Sequence, residues 1–191
     1  MFFIYEKKMV EFLDISIRNA RFAKIGLQDL IDYIGDCSDM IMVEVGSYVG
    51  DSTEIFAKNF KTVFAIDPWV NGYDDNDGAS FRIPMDQVEA QFNKLCKKYP
   101  NIQKLKVKSE KAIYHFAEYS IDFIYIDAIH NYSGVREDIQ LWLPKVKKNS
   151  FIAGHDYTGR HFPGVKKAVD EFFKPDKTFR DSSWIKRIEV E

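Results

Sequence analysis

Five short segments of the chain carry residue types that suit acid–base, metal or anion chemistry, and four of them stand just after an apolar run. Gly46, Ser47, Tyr48, Gly50 and Ser52 follow IMVEV, Asp67 follows TVFAI, and Ser109 follows the run 103–107. Asp127 and His130 follow IDFIYI, and His155 and Asp156 follow 151–153. In the first segment, VEVGSYVGDST, Gly46 permits a tight turn and close backbone approach, and Gly50 lets a helix start pack closely. Residues 51–53 then open a helix whose free N–H groups can receive an anion such as a carboxylate. Asp67 lies 21 residues after Gly46, where an acidic side chain can accept hydrogen bonds from two ribose hydroxyls. Asp127, Asp156 and His155 are ligand types for a divalent cation, whereas His130 and His155 can take a proton near neutral pH.

These residues meet only if the apolar runs are adjacent strands. Ile41–Val45, Thr62–Ile66, 103–107, Ile121–Ile126 and 151–153 read as strands. Between them stand helix-spaced segments: one from near Asp51, Met85–Lys98, 110–117, 134–143 and 165–173. Strands alternating with helices imply right-handed crossovers and a mainly parallel sheet covered on both faces. The tail KTFRDSSWIKRIEV reads as two strands around a Ser-Ser turn, so the sheet should end in an antiparallel hairpin. Ligands of such sheets bind beyond the carboxyl ends of the strands, where strand order reverses. Upstream, residues 12–34 show helical spacing with an expected break at Gly26 and a stop near Gly35. The division expected is an N-terminal helical extension, 1–39, packed on a core domain, 40–191. The loop 68–84, rich in Gly, Asn and Asp, is long enough to be a substrate-side element.

Composition narrows the classes. With 27 Lys plus Arg against 29 Asp plus Glu, the net charge of −2 argues against a generic nucleic-acid binder. The basic cluster 94–111 reads as a solvated face. Cys37 and Cys96 have no metal-type spacing, which suits a reducing compartment. No window approaches a membrane span, and the first residues lack a signal-peptide stretch, so the expected location is cytoplasmic. Aromatics make up 15% of the chain, so the core should be built on rings. The dinucleotide fingerprint GxGxxG is broken by Tyr48, which disfavours an NAD-dependent oxidoreductase. A non-catalytic nucleic-acid or protein-binding module is the other alternative. His115 and His161 fall outside the strand-end set.

The segment VEVGSYVGDST resembles the cofactor loop of class I S-adenosylmethionine-dependent methyltransferases, nearest to the catechol-type and sugar O-methyltransferase branches. The block IYIDAIHNYSGVREDIQLWLPKVKKNSFIAGHDY is similar to relatives of macrocin-type O-methyltransferases. The resemblance implies a Rossmann-like seven-stranded fold, with S-adenosyl-L-methionine as cofactor and a small hydroxylated acceptor such as a sugar or secondary metabolite. It implies that Glu44, Gly46, Ser47, Tyr48 and Gly50 surround the methionine part of the cofactor and that Ser52 holds its carboxylate. Asp67 would then bind the ribose and Ser109 would lie near the adenine, while Trp69 either packs beside the nucleoside or serves as a plain loop anchor. Asp127, with His155 and Asp156, would hold a metal, and His130 occupies the place of a catalytic lysine. Imidazole among the ligands leaves the ion open between magnesium and softer ions such as manganese. A metal-free site with His130 or His155 as base stays open beside it.

Overall fold

Each residue of the first strand, β1 (Ile41–Val45), is committed to one side of a sheet by simple alternation. Met42 and Glu44 face one layer, while Val43 and Val45 face the other, and all four are buried. The computed structural model describes residues 21–75 and 77–189. The expected helical spacing over residues 12–20 lies outside them, as does that part of the expected N-terminal extension. Along the chain β1 is followed by α2 (Asp51–Asn59), β2 (Thr62–Ile66), α3 (Ala79–Arg82), α4 (Met85–Lys98) and β3 (Ile102–Leu105), with α1 (Arg21–Ile34) ahead of it. Then come α5 (Ser109–Ala112), β4 (Ile121–Ile126), α6 (Tyr132–Trp142), β5 (Val146–Gly154), α7 (Pro163–Phe172), β6 (Lys177–Thr178) and β7 (Trp184–Arg187).

The strands form one seven-stranded sheet in the order β3-β2-β1-β4-β5-β7-β6. All neighbours among β1 to β5 are parallel, and β7 runs antiparallel to both β5 and β6. Strand order therefore reverses between β1 and β4, which places Gly46 and Asp127 at the switch point where open α/β sheets bind ligands.

Helices cover both faces. On one, Phe56 of α2 meets Tyr125 and Phe123 edge-on, with ring centroids 5.1 and 5.9 Å apart, and Leu27 and Leu30 of α1 join the same core. On the other, Ile139 and Trp142 of α6 and Val165 and Val169 of α7 pack on Ile124, Ile126 and Ile152. The expected ring-built core is thus concentrated on the α2 side.

Three local readings change. α1 runs unbroken through Gly26: a Cβ there would lie 2.5 Å from the Asp181 carboxylate, so the glycine serves close packing rather than a break. β5 begins at Val146, five residues before the apolar run 151–153, because ladder pairing with Ile121 carries it through a polar stretch. The long loop 68–84 contains the short helix α3, for which its polar sequence gave no period.

Candidate active site

Two adjoining cavities open along the carboxyl ends of the parallel strands. The larger, about 460 Å³, is walled by Val45 and Gly46 at the end of β1, by Ile66, Asp67 and Pro68 at the end of β2, by Ser109, by Asp127 to Ile129 after β4 and by Asp138 and Leu141 of α6. The smaller, about 260 Å³, is walled by the turn 46–52 together with Asp127, His130, His155, Asp156 and Phe162. Gly46, Tyr48, Tyr73 and Asp127 belong to both.

The turn between them exists because its glycines are glycines. Gly46 has φ +91°, and a Cβ there would stand 2.1 Å from the Asp127 carbonyl oxygen, so the ends of β1 and β4 touch only without a side chain. Gly50 has φ +96°, and its missing Cβ makes room for Leu95. Two bulky residues also hold left-handed backbones, Tyr48 and Trp69, both at φ +46°. Such conformations cost about 1–3 kcal/mol each and need external restraint. Asp67 provides it. Its Oδ2 accepts from the Tyr48 N–H at 2.9 Å and its Oδ1 from the Trp69 N–H at 2.6 Å. Burial raises the Asp67 pKa, and these two N–H groups pull it part of the way back. Asp67 therefore clamps the turn and lines the larger cavity at once.

Of the two places open to Trp69, beside the nucleoside or under the loop, it takes the second. Its ring is buried on Phe92, with centroids 4.9 Å apart, and its Nε1 donates to the Tyr48 carbonyl at 2.8 Å. It anchors the loop from below and is not among the residues lining the larger cavity. Glu44 is likewise beneath the turn, fully buried, accepting the hydroxyls of Ser52, at 2.5 Å, and Thr53. Burial pushes its carboxyl up to about 7 despite those hydroxyls. Since the Ser52 hydroxyl is donated inward to Glu44, an anion at the start of α2 would meet backbone N–H groups there. Ser47 is buried in the smaller cavity's wall. Ser109 lines the larger cavity, but its hydroxyl is donated to Asp138 and its oxygen accepts from the Trp142 Nε1 at 2.8 Å.

The second cavity gathers charge. His130 Nε2 lies 3.2 Å from Asp156 Oδ2 and 3.6 Å from Asp127 Oδ1. From the opposite side, Asp74 Oδ2 accepts the His130 backbone N–H at 2.8 Å and faces its Nδ1 at 3.0 Å. Phe162 stacks on the ring, centroid to centroid 4.3 Å. Burial alone would disfavour the imidazolium, but Asp127, Asp156 and Asp74 outweigh it and His130 is pushed up to about 12. His155 Nδ1 stands 3.1 Å from Asp156 Oδ2, and the geometry gives neither of its ring nitrogens a hydrogen bond among the described residues. Asp156, with a left-handed backbone at φ +61°, is held below the usual carboxylate range: burial opposes the charge, and the two imidazoles outweigh that.

Among the described residues, the three groups whose donor atoms all lie within 4.8 Å of one another are Asp127, His130 and Asp156. The sequence reading put His155 in that set and His130 outside it; here His155 lies at the edge of the trio, 3.8 Å from Asp127 Oδ1. Two carboxylates and an imidazole form a donor set that suits a divalent cation with mixed oxygen and nitrogen preference. The sequence reading missed Asp74, Asp138, Tyr73 and Phe162. The loop 68–84 reads as substrate-side, but nothing in its run YDDND singles out Asp74. His115 and His161 are exposed, away from both cavities.

A parallel sheet with this strand order, a glycine turn at the switch point, an acidic residue ending β2 and an antiparallel hairpin define the class I S-adenosylmethionine-dependent methyltransferases. The chain belongs to that class: the methyltransferase-domain family profile matches residues 43–157. Solved structures agree on the fold. N-methyltransferase NodS from Bradyrhizobium japonicum is 13% identical, with TM-score 0.60 over 91% of this chain and 100% of that one. SMU.1697c from Streptococcus mutans, in complex with S-adenosylhomocysteine, is 14% identical, with TM-score 0.58 over 84% and 94%. An rRNA methylase from Streptococcus thermophilus is 14% identical, with TM-score 0.57 over 90% and 99%. The chain spans 49% and 26% of two further solved chains that it resembles. No curated protein sequence matches it. Among the described residues no helix is long and apolar enough to cross a membrane.

Proposed function

We propose that this protein binds S-adenosylmethionine with its nucleoside in the larger cavity and transfers the methyl group to a hydroxyl oxygen of a small molecule held in the smaller one. The observation that carries this reading is the junction of the two cavities at Gly46 and Asp127, with Asp67 on one side and the Asp127–His130–His155–Asp156 cluster on the other. The methyl carbon of a sulfonium is already activated, so the protein's work is alignment and deprotonation of the acceptor.

In this reading Asp67 receives the ribose hydroxyls with lone pairs not used by Tyr48 and Trp69, and the start of α2 receives the cofactor carboxylate on backbone N–H groups. Asp127, Asp156 and His130 would hold a divalent cation, which when bound supplies positive charge that lowers the acceptor hydroxyl's pKa. His155 takes the proton: its Nδ1 faces Asp156, and its Nε2 makes no hydrogen bond among the described residues. A neutral imidazole with its proton on Nδ1 would leave Nε2 to accept.

A second reading is favoured by the spacing around His130. Its protonated ring already bridges Asp127 and Asp156, so the imidazolium can serve as the fixed positive charge with no metal present. Methyl transfer to a panel of phenols and sugars, with Mg²⁺, Mn²⁺ or EDTA, separates the two. Turnover abolished by EDTA and restored by a cation supports the metal-assisted reading, and EDTA-insensitive turnover supports the imidazolium. A chain that methylates amines and no hydroxyl contradicts the proposed acceptor class.

A further inference from the structure

The smaller cavity carries more negative charge than the proposed chemistry uses. Asp51, Asp77, Asp127 and Asp156 line it, and Asp74 stands behind His130. The His130 imidazolium is matched by Asp127, Asp156 and Asp74 at its own ring nitrogens. Asp77 and Asp51 lie outside that cluster and outside the larger cavity. No lysine or arginine stands among the described residues of the lining, whereas the larger cavity includes Lys108. Asp77 comes from the loop 68–84, and its Oδ2 lies 3.5 Å from the Tyr73 hydroxyl. Burial raises the pKa of both Tyr48 and Tyr73, and Asp77 adds more to that than any other carboxylate does. Two hydroxyls of the same lining, Tyr48 Oη and Ser47 Oγ, are buried and complete no hydrogen bond among the described residues. Ser47 is 2% exposed, and the Glu44 carboxylate beneath it already has the hydroxyls of Ser52 and Thr53. Buried polar atoms are rarely left so. A carboxylate, hydroxyl oxygens and aromatic faces stabilise an ammonium, which brings a positive charge and three donors.

We propose that the acceptor of this site is a small hydroxylated amine, such as an amino sugar or amino alcohol, and that Asp77 binds its ammonium group. The assignment rests on the methyl-transfer reading above and names the substrate class within it. It excludes acids, because a carboxylate or phosphate on the acceptor would enter a cavity of its own sign. It also fixes the nucleophile. A protonated nitrogen has no lone pair to offer, so the hydroxyl oxygen forms the new C–O bond while the C–S bond breaks and its electron pair neutralises the sulfur. The hydroxyl proton passes to His155, and the ammonium leaves unchanged.

The test is calorimetry at neutral pH on the full chain saturated with S-adenosylhomocysteine, using two matched sets of probes. One set is tyramine, 4-ethylphenol and 3-(4-hydroxyphenyl)propionate; the other is methyl glucosaminide, methyl glucoside and methyl glucuronide. Within each set only one group changes, from cationic to neutral to anionic. In at least one set the cation should bind about 10- to 100-fold more tightly than the neutral compound, the scale of a hydrogen bond to a charged group. The anion should bind weakest. Asp77→Asn should erase the preference, and Asp77→Lys should turn it toward the anion. An equal or reversed ranking in the wild type, no binding of either cation, or a preference kept in a folded Asp77→Asn overturns the assignment while sparing the cofactor reading. Weakened S-adenosylhomocysteine binding in Asp77→Asn would give that carboxylate to the cofactor's own ammonium, and overturns it as well. Failure of the wild type to bind S-adenosylhomocysteine overturns both readings.

Discussion

The two cavities share one wall and differ in how that wall is satisfied. The larger is finished by backbone and by local clamps: Asp67 on the Tyr48 and Trp69 N–H groups, and Trp142 on Ser109 on Asp138. The smaller is finished by charges that satisfy one another across distant segments, with His130 at the centre of Asp74, Asp127 and Asp156. The first arrangement is stiff because each group is fixed by near neighbours or a strand end. The second depends on loop 68–84 delivering Asp74, so binding and chemistry should respond separately to substitution.

The sharpest separation is expected at Asp127. Asp127→Asn keeps the size of the side chain and removes its charge; turnover should fall by about 10²- to 10⁴-fold, the usual reach of an acid–base or charge-stabilising group. Binding of S-adenosylhomocysteine should change little. Steady-state kinetics beside calorimetry checks this, and a parallel loss of both would erase the distinction between the cavities.

A smaller effect is expected at Asp74, which acts through His130. Asp74→Ala removes the acceptor for both the backbone N–H and Nδ1, and turnover should fall by about 10- to 100-fold, as for groups that orient a ligating histidine. Asp74→Asn can still accept and should recover part of the loss. A purely structural role for Asp74 would instead lower the melting temperature of both variants with no rescue of turnover.

The smallest difference lies in pH dependence. Glu44 under the turn has its folded pKa raised to about 7, so its contribution to stability is complete below its ordinary range and is lost as pH rises through about 7. His130 is raised to about 12, so its contribution is fully present below its ordinary 6.5 and is lost progressively as pH rises from there through about 12. Melting temperatures from pH 5 to 8 should therefore fall less steeply in Glu44→Gln than in the wild type. An unchanged slope would mean that Glu44 stays ionised in the folded protein.

The same contrast explains what could be read from the sequence. Strands such as IMVEV and IDFIYI announce themselves by composition, and β1, β2, β4 and α4 lie where their residues place them. Strand ends then supply Asp67, Asp127, His130, His155 and Asp156 directly. Trp69 stays ambiguous in the sequence because an aromatic after a strand end looks the same whether its ring faces a ligand or turns under the loop onto Phe92. Asp74 and Asp138 were hidden for another reason. One sits in an irregular loop and the other on a helix with ordinary amphipathic spacing, and only folding brings them to His130 and Ser109.

The central claim, that the larger cavity holds an adenosyl donor gripped by Asp67, is tested most directly by titrating S-adenosylhomocysteine into the wild type and into Asp67→Asn. Saturable one-to-one binding to the wild type is expected, weakened about tenfold or more in the variant, since a hydrogen bond to a charged group is lost. Absence of binding, or equal affinity in a folded Asp67→Asn, would contradict it.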